Sequence, residues 1–179
     1  MTYDEIPGWF DFSGAYDEIA QLVLPGEKIV EVGPYLGRST VYLATKLREL
    51  EKWATIYAID LFDGYDPFQG SFYDQLLQNL SQCKVLGMVV PIKMDSQKAA
   101  GLFKDGELAA VWLDSDKSYK HVQESLISWH RKVKKGGILG GFGLSEPEVE
   151  RAVEEFTSAL KLRLEVRQEG TWQSWIIPR

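Results

Sequence analysis

The sequence predicts a three-layer α/β/α sandwich built on a mostly parallel β-sheet. Short apolar runs of strand length alternate with longer segments whose apolar residues repeat every third or fourth position, as in helices. Such alternation is typical of parallel strands joined by helices. The chain closes differently, because two strand-like runs flank a turn at Glu169-Gly170 and predict an antiparallel hairpin.

The first half of the chain follows this alternation closely. Helices are predicted over residues 14–23, 39–50 and 71–82, where apolar side chains recur in step on one face (Tyr16, Ile19, Ala20 and Val23; Leu43, Leu47 and Leu50; Phe72, Leu76 and Leu80). Pro25-Gly26 ends the first helix. Strands are predicted over residues 28–32, 55–59 and 89–94, and the second of them ends at Asp60. Pro91 predicts that the third strand lies at a sheet edge, because proline cannot donate to a ladder.

The second half continues the pattern and then leaves it. A short helix over residues 97–103 precedes a strand over 108–114, which ends at Asp114. Helical periodicity marks two further helices (Val122, Leu126, Trp129 and Val133; Val149, Val153, Phe156 and Leu160), with a strand over 136–142 between them. Leu162, Leu164 and Val166 then alternate before "WQSWII". We predict one domain, residues 1–179, with residues 1–26 as an N-terminal helical segment.

Composition excludes some classes of partner. The net charge of −6 argues against nucleic acid, which requires a basic field. The basic cluster at residues 131–135 is expected in the last turn of a helix capped by Gly136, where cations need no ligand.

The sequence also predicts a soluble cytoplasmic protein. Cys83 is the only cysteine, so neither an intrachain disulfide nor a cysteine metal site is expected. The first ten residues have no secretion-signal pattern, and no apolar run approaches the roughly 18 residues of a membrane span.

Five segments in order carry a family resemblance. "KIVEVGPYLGRSTVYLA", "IYAID", "MDS" (94–96), "VWLDSDKSYKHV" and "KKGGILGGF" resemble the motifs of the class I S-adenosylmethionine (SAM)-dependent methyltransferases, and most closely those of small O-methyltransferases. The loop after the first strand has neither the P-loop pattern nor the dinucleotide fingerprint GxGxxG. The resemblance implies a Rossmann-like sheet of seven strands, an edge position for the third strand, and SAM as cofactor.

The cofactor site implied by this resemblance comprises Glu31, Gly33, Gly37, Ser39, Asp60, Asp95, Ser96 and Asp114. Gly33 and Gly37 permit close backbone approach to the methionyl part, and the helix opening near Ser39 can direct N–H groups to its carboxylate. Glu31 can face the ammonium group, and Asp60, at a strand end, can accept both ribose hydroxyls. Asp95 and Ser96 border the adenine by resemblance. Alternatively, the glycines serve only tight packing and Asp60 is a solvated loop acid.

The predicted catalytic groups are Asp114, Lys117 and His121. Asp114 matches the first ligand of the metal-dependent relatives, whose other ligands follow the fifth strand as Asp-Asn. Phe142-Gly143 stands there instead, so no metal site is predicted. Lys117 is a base if burial lowers its pKa, and His121, four residues on, is expected on the same helical face.

The predicted activity is methyl transfer to a small molecule, at a hydroxyl oxygen. Trp9, Phe10 and Phe12 form either a lid over the substrate or a hydrophobic cover on the sheet edge. A SAM-binding protein that has lost catalysis is the alternative that Phe142-Gly143 motivates. A nucleotide-dependent oxidoreductase is a weaker one, which the missing GxGxxG disfavours. A homodimer is plausible from the edge strand and the aromatic residues.

Overall fold

The computed structural model describes residues 1–66 and 70–179. The strands within these ranges are β1 (Lys28–Val32), β2 (Thr55–Asp60), β3 (Tyr65–Asp66), β4 (Gly70–Ser71), β5 (Val89–Lys93), β6 (Leu108–Leu113), β7 (Val133–Phe142), β8 (Glu165–Glu169) and β9 (Trp172–Pro178). The α-helices are α1 (Ser13–Leu22), α2 (Arg38–Glu49), α3 (Phe72–Gln82), α4 (Ser96–Ala99), α5 (Tyr119–His130) and α6 (Pro147–Leu160).

Seven strands form one sheet in the order β5-β2-β1-β6-β7-β9-β8. The first five are parallel, and β9 runs antiparallel to both β7 and β8. The predicted fold class, with its closing hairpin, is therefore confirmed. The edge position of the third predicted strand is also confirmed, since β5 ends the sheet and its Pro91 lies opposite Ala58. Strands β3 and β4 form a separate antiparallel ribbon where the sequence predicted only a loop.

Side chains of alternate strand residues supply two cores, one on each face of the sheet. Ile29 of β1 packs in the core that α1, α2 and α3 cover, whereas Val30 packs in the core beneath α5 and α6. Leu47 of α2 and Leu126 of α5 are fully buried at these two faces, and burying such a side chain stabilises the fold by roughly 1.5–3 kcal/mol. No helix in the described ranges is long and apolar enough to cross a membrane.

The basic cluster at residues 131–135 lies elsewhere than predicted. Helix α5 ends at His130, and Lys134 and Lys135 already belong to β7. Arg131 and Lys132 form ion pairs with Asp105, at 2.6 and 3.0 Å, and Lys134 pairs with Glu27. The expectation that these cations lie in the last turn of a helix is wrong. Val133 is apolar because it begins a buried strand, and its spacing matches the helical periodicity by coincidence. Protein carboxylates, and no ligand, still account for these three cations.

The three aromatic side chains of the N-terminal segment differ in their packing. Phe12 is buried, with its ring centroid 5.1 Å from that of Trp112, and Phe10 packs against Tyr3 and Tyr42. These two phenylalanines form a hydrophobic cover. Trp9, by contrast, is 85% exposed.

Candidate active site

The carboxyl ends of β1 and β6 form the point where the strand order reverses. From β1 the chain proceeds to β2 and β5 on one side, and β6 then adds on the other. Backbone hydrogen bonds join the strand ends, since Gly33 N donates to the Ile59 carbonyl at 3.0 Å and Asp114 N donates to the Val32 carbonyl at 2.9 Å. Open α/β sheets bind their ligands at such a point.

The loop from Gly33 to Gly37 turns sharply from β1 into α2. Gly33, Tyr35 and Gly37 all have positive φ, at +87°, +50° and +91°. A Cβ at Gly33 would lie 2.0 Å from the Asp114 carbonyl oxygen, and one at Gly37 would lie 2.6 Å from Cδ1 of Leu76. Tight internal packing therefore requires both glycines, as one of the two sequence interpretations held. Their approach to a cofactor stays a prediction.

Glu31 lies behind this loop, fully enclosed. Its carboxylate accepts hydrogen bonds from Tyr16 Oη at 2.8 Å, from Ser39 Oγ at 2.5 Å and from Thr40 Oγ1. Burial raises the pKa of Glu31, and the three hydroxyl donors oppose that rise. Glu31 thereby ties the first turn of α2 to β1, and the Ser39 hydroxyl is used in the same contact. The predicted contact of Glu31 with a cofactor ammonium, through water, stays a prediction.

Two cavities open at this edge of the sheet and share Gly33 as a common wall. The first, of about 400 Å³, is lined by Gly33, Asp60, Asp95, Ser96, Asp116 and His121 among others, and we name it the polar cleft. The second, of about 440 Å³, is lined by Trp9, Tyr35, Asp114, Lys117, Phe142 and Trp172 among others, and we name it the aromatic pocket. Glu31 lines neither of them.

The polar cleft brings together four of the predicted cofactor residues, namely Gly33 and three polar side chains. Asp60 is the last residue of β2 and accepts a hydrogen bond from Phe62 N at 3.0 Å. Asp95 caps α4 by accepting from Lys98 N at 3.0 Å. Ser96 is buried, and its hydroxyl accepts from Trp129 Nε1 at 3.2 Å. These contacts fix the orientation of the three side chains at the wall of the cleft.

His121 lines the polar cleft and Lys117 lines the aromatic pocket, although both also line a small cavity of about 10 Å³ between them. The expected shared helical face does not exist, because α5 begins at Tyr119 and Lys117 precedes it. The Nε2 atom of His121 is 3.0 Å from Ser115 Oγ. His121 lines the cleft together with Asp60, but it does not line the aromatic pocket, where Lys117 and Asp114 lie.

The charged pair of the aromatic pocket consists of Asp114 and Lys117. Lys117 Nζ donates to Asp114 Oδ1 at 2.5 Å and to the Phe142 carbonyl at 3.1 Å. Burial raises the pKa of Asp114, and the ammonium of Lys117 partly offsets that rise. Two of the three predicted catalytic groups are therefore adjacent, in a pocket whose walls include four aromatic rings.

Other pocket residues were not predicted from the sequence. Arg38 lines the pocket and donates to the Gly8 carbonyl at 2.9 Å, which holds the N-terminal segment at the rim. Arg38 could have been found, since it directly follows Gly37 in the first motif. Trp172 of β9 gave no such signal, because spacing along the chain does not reveal which strand the hairpin joins.

The donors at this edge do not fit the metal site of the metal-dependent relatives. Lys117 occupies an oxygen of Asp114, and Phe142-Gly143 offers no side-chain oxygen. Across the part of the chain that the structure describes, no three His, Cys, Asp or Glu side chains are grouped to hold a metal ion. We therefore derive no step through a metal.

Comparisons with solved structures agree with this fold. The O-methyltransferase NovP superimposes with a TM-score of 0.72 at 16% identity, covering 94% of this chain and 80% of its own. A SAM-dependent O-methyltransferase from Thermotoga maritima gives 0.70 at 13% identity, covering 96% and 66%. An rRNA methylase from Streptococcus thermophilus gives 0.70 at 14% identity, covering 97% and 99%. At these identities the likeness shows the fold alone.

Sequence comparison supplies the family. A search of curated proteins finds no match to this chain. The family model described as "Methyltransferase domain", however, matches residues 30–141, which is more than half of the chain. The matched region contains Gly33, Asp60 and the Asp114–Lys117 pair. The chain therefore belongs to the methyltransferase-domain family.

Proposed function

We propose that this protein is an enzyme that transfers a methyl group from SAM to a hydroxyl oxygen of a small, largely apolar molecule. One observation carries the proposal. The Asp114–Lys117 pair lies in an aromatic pocket that adjoins the polar cleft across a single residue, Gly33. Two sites that meet at one backbone position suit a direct transfer between two bound molecules.

The polar cleft suits the adenosine part of SAM. Asp60 can accept the ribose hydroxyls from its place at the end of β2, and Asp95 and Ser96 can border the adenine. The methionyl part then extends past Gly33 toward the first N–H groups of α2, which have no intrahelical acceptor. When bound, SAM supplies an electrophilic methyl group whose bond to sulfur breaks as the bond to the acceptor oxygen forms.

Asp114 is the group best placed to take the proton of the acceptor hydroxyl. Its raised pKa makes it a stronger base than an ordinary aspartate. Lys117 does not suit this role, because its Nζ already donates hydrogen bonds to Asp114 and to the Phe142 carbonyl. Lys117 instead stabilises negative charge on the reacting oxygen. His121 is assigned to cofactor binding, since it lies in the polar cleft.

The walls of the aromatic pocket suit a planar apolar acceptor. Trp9, Tyr35, Phe142 and Trp172 contribute rings from four separate segments, and the Phe142 and Trp172 centroids are 5.9 Å apart. Aromatic walls bind flat rings through offset or edge contacts. A volume of about 440 Å³ lies within the usual range for small-molecule sites.

The test is methyl transfer from labelled SAM to a panel of phenols, alcohols, amines and carboxylic acids. We expect turnover of at least one phenol or alcohol, and a loss of kcat of about 10²–10⁴-fold in Asp114→Asn. The matched control is Asp63→Asn, at an exposed acid that lines neither cavity, which we expect to change kcat by less than about threefold. Full kcat in Asp114→Asn would contradict the assignment of the base.

The second candidate function is SAM binding without catalysis. Phe142-Gly143 favours it, since neither residue has a side chain that can relay a proton. Tight SAM binding with no turnover of any acceptor class in the panel would support this alternative over the proposed enzyme.

A further inference from the structure

The position of Lys117 accounts for the unusual Phe142-Gly143 pair. In the metal-dependent relatives a divalent cation bridges an acid after the fourth strand of the fold and a pair of side chains after the fifth. Here Asp114 supplies the acid, after β6, while the residues after the next strand supply no side-chain oxygen. The space between these two strand ends holds the ammonium group of Lys117.

The ammonium group of Lys117 contacts oxygen atoms of the kind that would otherwise bind a metal cation. Its nitrogen is 2.5 Å from Asp114 Oδ1 and 3.1 Å from the Phe142 carbonyl oxygen. It also lies 5.6 Å from the centroid of the Phe142 ring, which adds a cation–π contact. Phe142 therefore contributes both its backbone oxygen and its ring to the cation, although its side chain has no ligand atom.

Gly143 provides the space that Lys117 requires. A Cβ at this position would lie 3.3 Å from Cε of Lys117 and 3.5 Å from its Cδ. The φ angle of Gly143 is +87°, which side chains rarely adopt. An asparagine at this position, as in the metal-dependent relatives, would crowd the lysine. Lys117, Phe142 and Gly143 thus form one interdependent unit.

We propose that the ammonium group of Lys117, held between Asp114 and Phe142, takes the place of the divalent ion, so that neither ligand binding nor methyl transfer here uses a metal. The inference rests on the proposed function for its catalytic part. A fixed ammonium stabilises a developing oxyanion as a metal ion does, but as a point charge that needs no loading from solution.

Manganese binding tests the inference without any turnover. The signal of free Mn²⁺ in electron paramagnetic resonance is followed as protein and SAM are added, in the unmodified protein and in Asp114→Asn. We expect the two proteins to leave the same amount of Mn²⁺ free. Mn²⁺ uptake by the unmodified protein that Asp114→Asn abolishes would overturn the inference.

Turnover supplies the second test once an acceptor is known. We expect EDTA to leave turnover unchanged, and Lys117→Met to lower kcat by about 10²–10³-fold with SAM affinity retained. Turnover lost to EDTA and restored by Mg²⁺ would overturn the inference, as would full kcat in Lys117→Met. If no acceptor is turned over, the proposed function fails, and the manganese titration still decides which cation the pocket holds.

The dependence of Lys117 on Gly143 has its own matched pair of variants. Gly143→Ala is expected to lower kcat by about tenfold, because the new methyl group shifts the Lys117 side chain by a few tenths of an ångström relative to Asp114. Gly170→Ala is the control, since Gly170 also has a positive φ, of +64°, but no atom within 4 Å of the added Cβ. Equal kcat in the two variants would show that Gly143 does not position the lysine.

Discussion

The polar cleft and the aromatic pocket share Gly33 but are built from different kinds of chain segment. The cleft is lined mainly by the ends of β1, β2, β5 and β6, whose order and direction the fold determines. The pocket joins the N-terminal segment, the loops after β1, β6 and β7, and the start of β9. The difference indicates that cofactor recognition depends on sheet topology, whereas acceptor choice depends on side chains brought together from distant parts of the chain.

Gly33→Ala is the change expected to affect both cavities most. The added Cβ would lie 2.0 Å from the Asp114 carbonyl oxygen, on a backbone with φ of +87°, so β1 and β6 must separate. We expect the free energy of unfolding to fall by roughly 2–5 kcal/mol, and SAM binding to be lost. Urea unfolding and calorimetry measure these two effects.

The control for this variant is Gly26→Ala. Gly26 also has a positive φ, of +82°, but nothing lies within 4 Å of its added Cβ. The free energy of unfolding of Gly26→Ala should therefore fall by only about 1 kcal/mol, which is the cost of placing alanine in this backbone conformation. If Gly33→Ala were no less stable than Gly26→Ala, the close contact of β1 with β6 would not be what requires glycine.

Asp60→Asn separates the cleft from the pocket. Replacing the carboxylate weakens two charge-assisted hydrogen bonds to the ribose, which raises the Kd for SAM by about 10–100-fold. The aromatic pocket does not include Asp60, so the KM for the acceptor should stay constant. Asp63→Asn, an exposed acid of the same loop, is the control and should bind SAM normally.

Trp9→Ala probes the pocket alone. Trp9 is 85% exposed yet lines the pocket, so its loss removes a wall without weakening the core. We expect the acceptor KM to rise about tenfold, with stability and SAM affinity unchanged. Trp53→Ala, at an indole that is 65% exposed and lines neither cavity, should change nothing. A KM unaffected by Trp9→Ala would remove Trp9 from the acceptor site.

His121→Ala gives the smallest effect but the sharpest contrast with the prediction from sequence. Because His121 lines the polar cleft, its replacement should raise the Kd for SAM about threefold to tenfold through the loss of one hydrogen bond. A fall in kcat with an unchanged Kd for SAM would instead indicate that His121 is the base. The two cavities would then not have separate roles in cofactor binding and catalysis.

The contrast between the two cavities also explains how much could be predicted. Strand order, the edge strand with Pro91 and the grouping of Asp60 with Asp95 follow from alternating patterns and from acids at strand ends. The burial of Glu31 could not be foreseen, because it depends on Tyr16, an aromatic residue that spacing assigns only to a helix face. The placement of Lys117 and His121 in different larger cavities depends on where α5 begins, and helix boundaries are poorly marked by periodicity.

Calorimetric titration with SAM and its demethylated product S-adenosylhomocysteine, with and without Mg²⁺, tests the central claim most directly. The claim is that the polar cleft holds SAM and that, in the adjoining aromatic pocket, the ammonium group of Lys117 takes the place of a divalent metal ion. We predict a Kd on the order of micromolar for both compounds, which Mg²⁺ does not change. Absence of binding by either compound would contradict the claim and leave Gly33 and Gly37 with a purely structural role, and binding that requires Mg²⁺ would contradict the role of Lys117.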